Sequence, residues 1–202
     1  KLNQKNLKRK KNIYTSKMLT NRLYDLPKLI SLRQTLHSKP ELSFQEYETQ
    51  SQIKSFLLSL KVPETSIIPC AKTGLIVNLK GTAPPINNNF ILALRADIDA
   101  LEMSENNPTL TYCSKIPAAH ACGHDGHIVC LLAFAALFQE NLNKVPSNKI
   151  VRLLFQPSEE DTPGDLSGAD CMVKEGCLTG VDEVYGLHNC PFPFGKLFIK
   201  SG

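Results

Sequence analysis

Apolar residues recur at helical spacing between residues 22 and 36 (Leu23, Leu26, Leu29, Ile30, Leu32, Leu36), which predicts an amphipathic helix ending before Pro40. A second helix is expected to open at Ser43, where Glu46 three residues later reads as a capping box. Its apolar face runs through Ile53, Phe56, Leu57 and Leu60, and Pro63 stops it. Short apolar, β-branched segments at 67–68, 75–79 and 90–94 read as strands, the last two joined by a turn-rich loop at 81–89. After a polar, irregular stretch at 104–118, residues 128–138 are apolar on every side, the mark of a buried helix. A strand at 150–155, a Pro/Gly/Asp loop, a short helix at 169–175 and strands at 183–187 and 196–200 complete the pattern. No internal repeat is visible.

Strands interleaved with helices imply an α/β fold, a mixed, largely parallel sheet with helices on both faces. The segments at 90–94, 150–155 and 183–187 are continuous apolar runs, as expected of central strands buried on both sides. Each runs into polar residues: Asp97 and Asp99, then Ser158, Glu159 and Glu160, then His188 and Asn189. Ligand crevices of open α/β sheets lie beyond the carboxyl ends of the strands, so these three ends are expected to meet.

Composition adds little that is specific. The 202 residues are 42% hydrophobic, enough for one large α/β domain or two small ones. No uncharged apolar stretch reaches the length of a membrane span, so no membrane partner is expected. Seven cysteines without a repeating framework point to free thiols in a reducing, cytoplasmic compartment. The net charge of +4 is local in origin. Residues 1–17 hold seven of the 23 Lys and Arg and no acid, leaving 16 basic against 19 acidic side chains elsewhere. A solvated, disordered tail over residues 1–21 is expected rather than a nucleic-acid-binding arm, with organelle targeting left open.

The chemistry concentrates in HACGHDGH at residues 120–127, which holds three of the five histidines and Cys122. Imidazole and thiolate are preferred ligands of borderline-soft divalent metals, and Gly123 and Gly126 let the backbone turn tightly. Packed core histidines are the plainer reading of any one of them, but three crowded imidazoles all need partners. Spacing leaves open which of them bind. Glu159 and Glu160 are adjacent on a non-helical backbone, so one can hold a metal while the other acts as general base. A solvated acidic turn is the alternative. His188 is a further candidate donor, and Asp97 and Asp99 either orient a ligand or cap the following turn. Cys, His, Glu and His suffice for one tetrahedral ion, or most of a two-metal site with a shared ligand. The chemistry this suggests is metal-assisted amide hydrolysis.

The stretches LHSKPELSF (36–44), LRADIDAL (94–101), HACGHDGH (120–127), FQPSEE (155–160), MVKEG (172–176) and GLHN (186–189) occur in this order. Together they resemble the amidohydrolase branch of the two-metal carboxypeptidase family, which includes N-acyl-amino-acid amidohydrolases, hippurate hydrolases and indoleacetyl-amino-acid hydrolases. The resemblance implies a zinc-exopeptidase-like catalytic domain over residues 22–202. It implies Cys122, His124, Glu160 and His188 as ligands of two divalent ions, Zn or Mn, with the thiolate shared, and Glu159 as general base and acid. Attack of a metal-bound water on the amide of a small N-acyl amino acid would follow. No ligand role carries over to His120 or His127.

Two departures stand out. Arg95 occupies a position where the wider family often has His, which leaves Asp97 an orienting candidate only, and loop 161–167 is longer than usual. The resemblance also implies a further lid or dimerisation domain and another His ligand, so the chain is expected to be the N-terminal part of a homodimeric enzyme. The alternative is a truncated, inactive metal-binding or interaction protein derived from this family.

Overall fold

The computed structural model describes residues 26–161, 164, 166–191, 193, 196 and 198–199. The basic stretch at 1–21 lies outside the described residues. Strands β1 (Ile67–Cys70), β2 (Gly74–Lys80), β3 (Phe90–Asp97), β4 (Lys149–Gln156) and β5 (Glu183–Gly186) form one mixed sheet in the order β1-β2-β4-β3-β5. The β1–β2 and β2–β4 pairs are antiparallel, whereas β4–β3 and β3–β5 are parallel. The parallel register pairs Asp97 with Gln156 and Arg95 with Gly186, so three strands deliver their carboxyl ends to one edge of the sheet.

Helices cover both faces. On one, α1 (Leu26–Ser38), α2 (Tyr47–Ser59) and α3 (His124–Glu140) pack Leu36, Ile53, Leu57, Ile128 and Leu132 against Val77, Leu153 and Phe155. Alternation along β2 and β4 sends the intervening Ile76 and Leu154 to the other face. There Met172 of α4 (Gly168–Lys174) joins Cys70, Ala93 and Cys177 in a smaller cluster. Helix α3 has apolar residues all round because it packs on α1, α2 and β3 together. All seven cysteines are free thiols.

Two local expectations fail. The second helix starts at Tyr47, and Ser43 and Glu46 make no capping box. Ser43 instead donates to Asp99, and the fully buried Glu46 accepts from Thr73 and from the backbone of Ser158. These partners lie 27 to 112 residues away, and they outweigh the capping preference. The run at 183–187 is not a buried central strand. Its four residues in β5 are exposed and pair on one side with β3. Of the strand expected at 196–200, Lys196, Phe198 and Ile199 are in no strand, and Leu197 and Lys200 lie outside the described residues. The predicted helix over 22–36 is α1, apart from residues 22–25, which also lie outside.

Leu132 is wholly buried between helices and sheet. Leu132→Ala should destabilise the fold by about 2–5 kcal/mol, measured by urea denaturation, because the surrounding strands and helices close only partly on the cavity.

Candidate metal centre

The crevice is built from strand ends and one helix start. Past Asp97 the pairing continues as Ile98 N–H donates to Gln156 O at 2.9 Å, which keeps 97–99 extended and puts both aspartates on one side. A bridge between Leu101 and Ala119 then draws this segment beside the 120–123 turn. Gly123 is the N-cap of α3 at φ +92°, so it turns the chain into the helix and sets His124 at its first position. A Cβ on Gly123 would lie 2.7 Å from the side-chain oxygen of Asn189, so the close approach of the two loops needs glycine.

One buried carboxylate organises the rest. Asp99 Oδ2 accepts from Ser43 Oγ (3.0 Å), Glu159 N–H (2.7 Å) and Glu160 N–H (2.8 Å). Its Oδ1 and carbonyl oxygen lie 3.2 and 3.0 Å from His124 Nδ1. With Nδ1–H donating there, the lone pair of His124 sits on Nε2, which faces the crevice. Behind the glutamates, Ser158 adopts a left-handed conformation (φ 47°), held by its N–H bond to Glu46. The loop returns to the same place, since Gly168 N–H donates to Ser158 O, and a Cβ on Gly168 would strike Pro157 O at 1.7 Å.

Two donor groups result. Cys122, His124 and Glu160 form one, and Asp97, His124, His127 and His188 the other, with the candidate ligand atoms of each within 4.8 Å of one another. His124 Nε2 lies 3.6 Å from Glu160 Oε1 and 3.8 Å from Glu159 Oε2. His188 Nε2 is 3.3 Å from Cys122 Sγ, and its Nδ1 is turned to the carbonyl of Asn189 at 2.6 Å. Glu160 is the more enclosed of the paired glutamates, and Glu159 opens to solvent with 39% of its side chain exposed.

The electrostatics suit a cation. His124 Nε2 and Glu160 Oε1 are buried without a hydrogen-bond partner among the described residues, an arrangement that normally costs several kcal/mol. Burial and then the carboxylates of Glu160 and Glu159 push the Cys122 thiol up to about 12. A divalent ion at this point would reverse that penalty and favour the thiolate. Burial opposes ionisation of Asp99, but His124, the Glu160 N–H and Ser43 hold its carboxyl below the ordinary value. Burial likewise disfavours the charged form of His124, yet Asp99 and Asp97 raise its pKa.

Cys122, His124, Glu160, His188 and Glu159 therefore gather in one crevice. His120 does not join them: it is buried with neither ring nitrogen bonded to a described residue, and burial lowers its pKa to about 4. His127 is close, but both its nitrogens are engaged, one with Asp97 and one with Asn189. Sequence reasoning missed two supports. Glu46 was absorbed by the capping-box pattern. His37 bridges Asp125 (2.8 Å) and Glu105 (3.2 Å), and Arg33 also holds Asp125 at 2.7 Å, which fixes the first turn of α3 from behind. The local patterns around both residues do not reveal these roles, because their partners are distant in the chain.

A pH window follows for metal-free protein. The contribution of Asp99 is present above 3.8 and is lost as pH falls through its depressed native value. The contribution of charged His124 is present below 6.5 and is lost as pH rises through its elevated native value. Asp99→Asn should destabilise by about 1–3 kcal/mol, because one amide oxygen cannot replace four acceptor contacts. In chelator, thermal melting should show the largest deficit between pH 3.8 and 6.5 and a smaller one on either side.

The model of peptidase family M20/M25/M40 matches residues 93–199, more than half of the chain, a span that includes Cys122, His124, Glu159, Glu160 and His188. N-acetylcysteine deacetylase of Bacillus subtilis is 38% identical over 177 residues, which cover 87% of this chain and 43% of that protein. N-acyl-L-amino acid amidohydrolase of Geobacillus stearothermophilus is 40% identical over 176 residues, 86% of this chain and 44% of that protein. The solved structure of a Bacillus subtilis protein described as a dinuclear metal-binding peptidase superposes with a TM-score of 0.71 at 36% identity. That match covers 82% of this chain and 43% of the other. The chain spans less than half the length of these relatives. On its sequence, its sheet and its crevice, the chain belongs to peptidase family M20/M25/M40.

Proposed function

We propose that residues 22–202 belong to the catalytic domain of an amidohydrolase that cleaves the amide bond of N-acyl amino acids with two divalent metal ions, zinc or manganese. The observation that carries this reading is the pair of buried, unpartnered atoms His124 Nε2 and Glu160 Oε1, 3.6 Å apart beside Cys122. The printed activities of the deacetylase and amidohydrolase relatives, and the dinuclear description of the solved relative, support the substrate class and the metal count.

Cys122, His124, Glu160 and His188 would hold the ions. Ions bound there would polarise the scissile carbonyl and lower the pKa of water. Glu159 takes the proton of the attacking water and returns it to the leaving nitrogen. Its position fits the task, since Oε2 lies 3.8 Å from His124 Nε2 and the side chain is open to solvent and substrate. Asp99 binds the backbone of both glutamates, so the base and its neighbouring ligand keep a common geometry. The acyl group and the free carboxylate are the parts of the substrate left for the rim to recognise.

Hydrolysis of N-acetyl amino acids by the full-length protein, with zinc and manganese determined by elemental analysis, tests the reading. Glu159→Gln should keep the metal and lower kcat about 10²–10⁴-fold, because the amide cannot accept the proton. Cys122→Ala should lose metal. Metal occupancy unchanged in Cys122→Ala, or turnover unchanged in Glu159→Gln, would sink the corresponding assignment. A wild-type protein that holds metal yet hydrolyses no acyl amino acid would favour a binding role. Metal affinity should also weaken as pH falls through the raised pKa of His124, above 6.5, since proton and cation compete for the same nitrogen.

A further inference from the structure

We infer that Asp97, His127 and Asn189 form a positioning clamp that sets His188 against the Cys122-Gly123-His124 turn. This inference rests on the metal reading above and assigns a role to His127, which that reading leaves without one.

Three separate pieces of chain meet in the clamp. Asp97 ends β3, and its Oδ1 lies 2.6 Å from His127 Nδ1 in the first turn of α3. The opposite nitrogen of the same ring, Nε2, accepts the backbone N–H of Asn189 at 3.0 Å and also meets the Asn189 side-chain oxygen. Whichever tautomer is present, the nitrogen on the crevice side is engaged with Asn189 and is not turned to a metal. The Asn189 amide in turn fills the space that a side chain on Gly123 would occupy. Asn189 is thus wedged between α3 and the turn carrying Cys122 and His124.

His188 is the neighbour of this wedge, and its ring lies edge-on to His127 with centroids 4.7 Å apart. Strand β5 is exposed and pairs on one side with β3, so its own packing holds the following loop weakly. Within the loop, the contact of His188 Nδ1 with the Asn189 carbonyl turns the ring but does not tie it to the turn that carries Cys122, whose Sγ lies 3.3 Å from His188 Nε2. The Asn189 side chain, seated against Gly123 and His127 Nε2, does so together with the hydrogen bond from Asn189 N–H to that ring, which a buried aspartate fixes. Asp97 is itself restrained, with Arg95 Nη1 3.0 Å from its second oxygen. His127 is a positioning residue in this account, because it acts on His188 through Asn189.

Zinc affinity provides the test. In the full-length protein, each of the two ions is titrated against a chromophoric chelator for wild type, His127→Leu, His127→Gln, Asn189→Ala and Cys122→Ala. His127→Leu should weaken one ion about 10–100-fold, the usual effect of losing a partner that orients a ligand. His127→Gln should recover most of this, because its amide oxygen accepts the Asn189 N–H although glutamine is a poor zinc ligand. Asn189→Ala, on an exposed loop, should weaken the same ion without lowering the melting temperature, and it decides the matter if His127→Leu does not fold. Normal affinity for both ions in Asn189→Ala, with zinc lost from Cys122→Ala, overturns the clamp and leaves the metal site standing. His127→Gln as weak as His127→Leu makes His127 a ligand and also overturns it. Unchanged zinc in Cys122→Ala removes the metal site, and the clamp with it.

Discussion

A buried carboxylate is tolerated only where donors surround it, and Asp99 has four of them from three places. Ser43 comes from the segment before α2, the two N–H groups from the turn after β4, and His124 from the start of α3. The requirement works in both directions. Asp99 stays charged because these groups converge, and they converge because the charge needs them. The arrangement leaves His124 with its lone pair on the crevice side and places Glu159 and Glu160 on a backbone that cannot drift. The chemistry of the site is therefore set one layer behind the donors themselves.

The sheet explains why such a carboxylate can reach so many elements. Its antiparallel half, β1-β2-β4, supplies much of the apolar core. Its parallel half, β4-β3-β5, carries three chain segments to one edge, where α3 begins. Glu46 couples the two halves, joining Thr73 at the start of β2 to Ser158 after β4. Burial raises its pKa, and both donors counter this, so the same balance of desolvation and hydrogen bonding recurs outside the crevice.

Much of this is legible in the residues. Apolar runs marked β3, β4 and the buried α3, and the polar residues after each run marked the crevice, because parallel strands share an end. The alternation of Asp97 and Asp99 carried their common orientation, through the period of two of extended chain. What the residues conceal is non-local. Ser43 and Glu46 have the form of a capping box, and only the fold reveals that their partners are Asp99, Thr73 and Ser158. The apolar segment of β5 looks like a central strand, but strand order places it beside β3 alone among the described strands. His127 looks as ligand-like as His124 in HACGHDGH. Their surroundings differ: among the described residues, His124 Nε2 has no hydrogen-bond partner, whereas both nitrogens of His127 have one.

The most direct measurement of the central claim is anomalous scattering from crystals of the protein grown with zinc. The account predicts two peaks about 3.5–4 Å apart in the crevice, the spacing of paired catalytic ions. Cys122 Sγ would touch both, with His124 Nε2, Glu160 and His188 Nε2 completing the donors and Asp99 still bound to His124 Nδ1. Zinc found only at surface sites, with His124 Nε2 and Glu160 Oε1 bonded to protein groups instead, would contradict it.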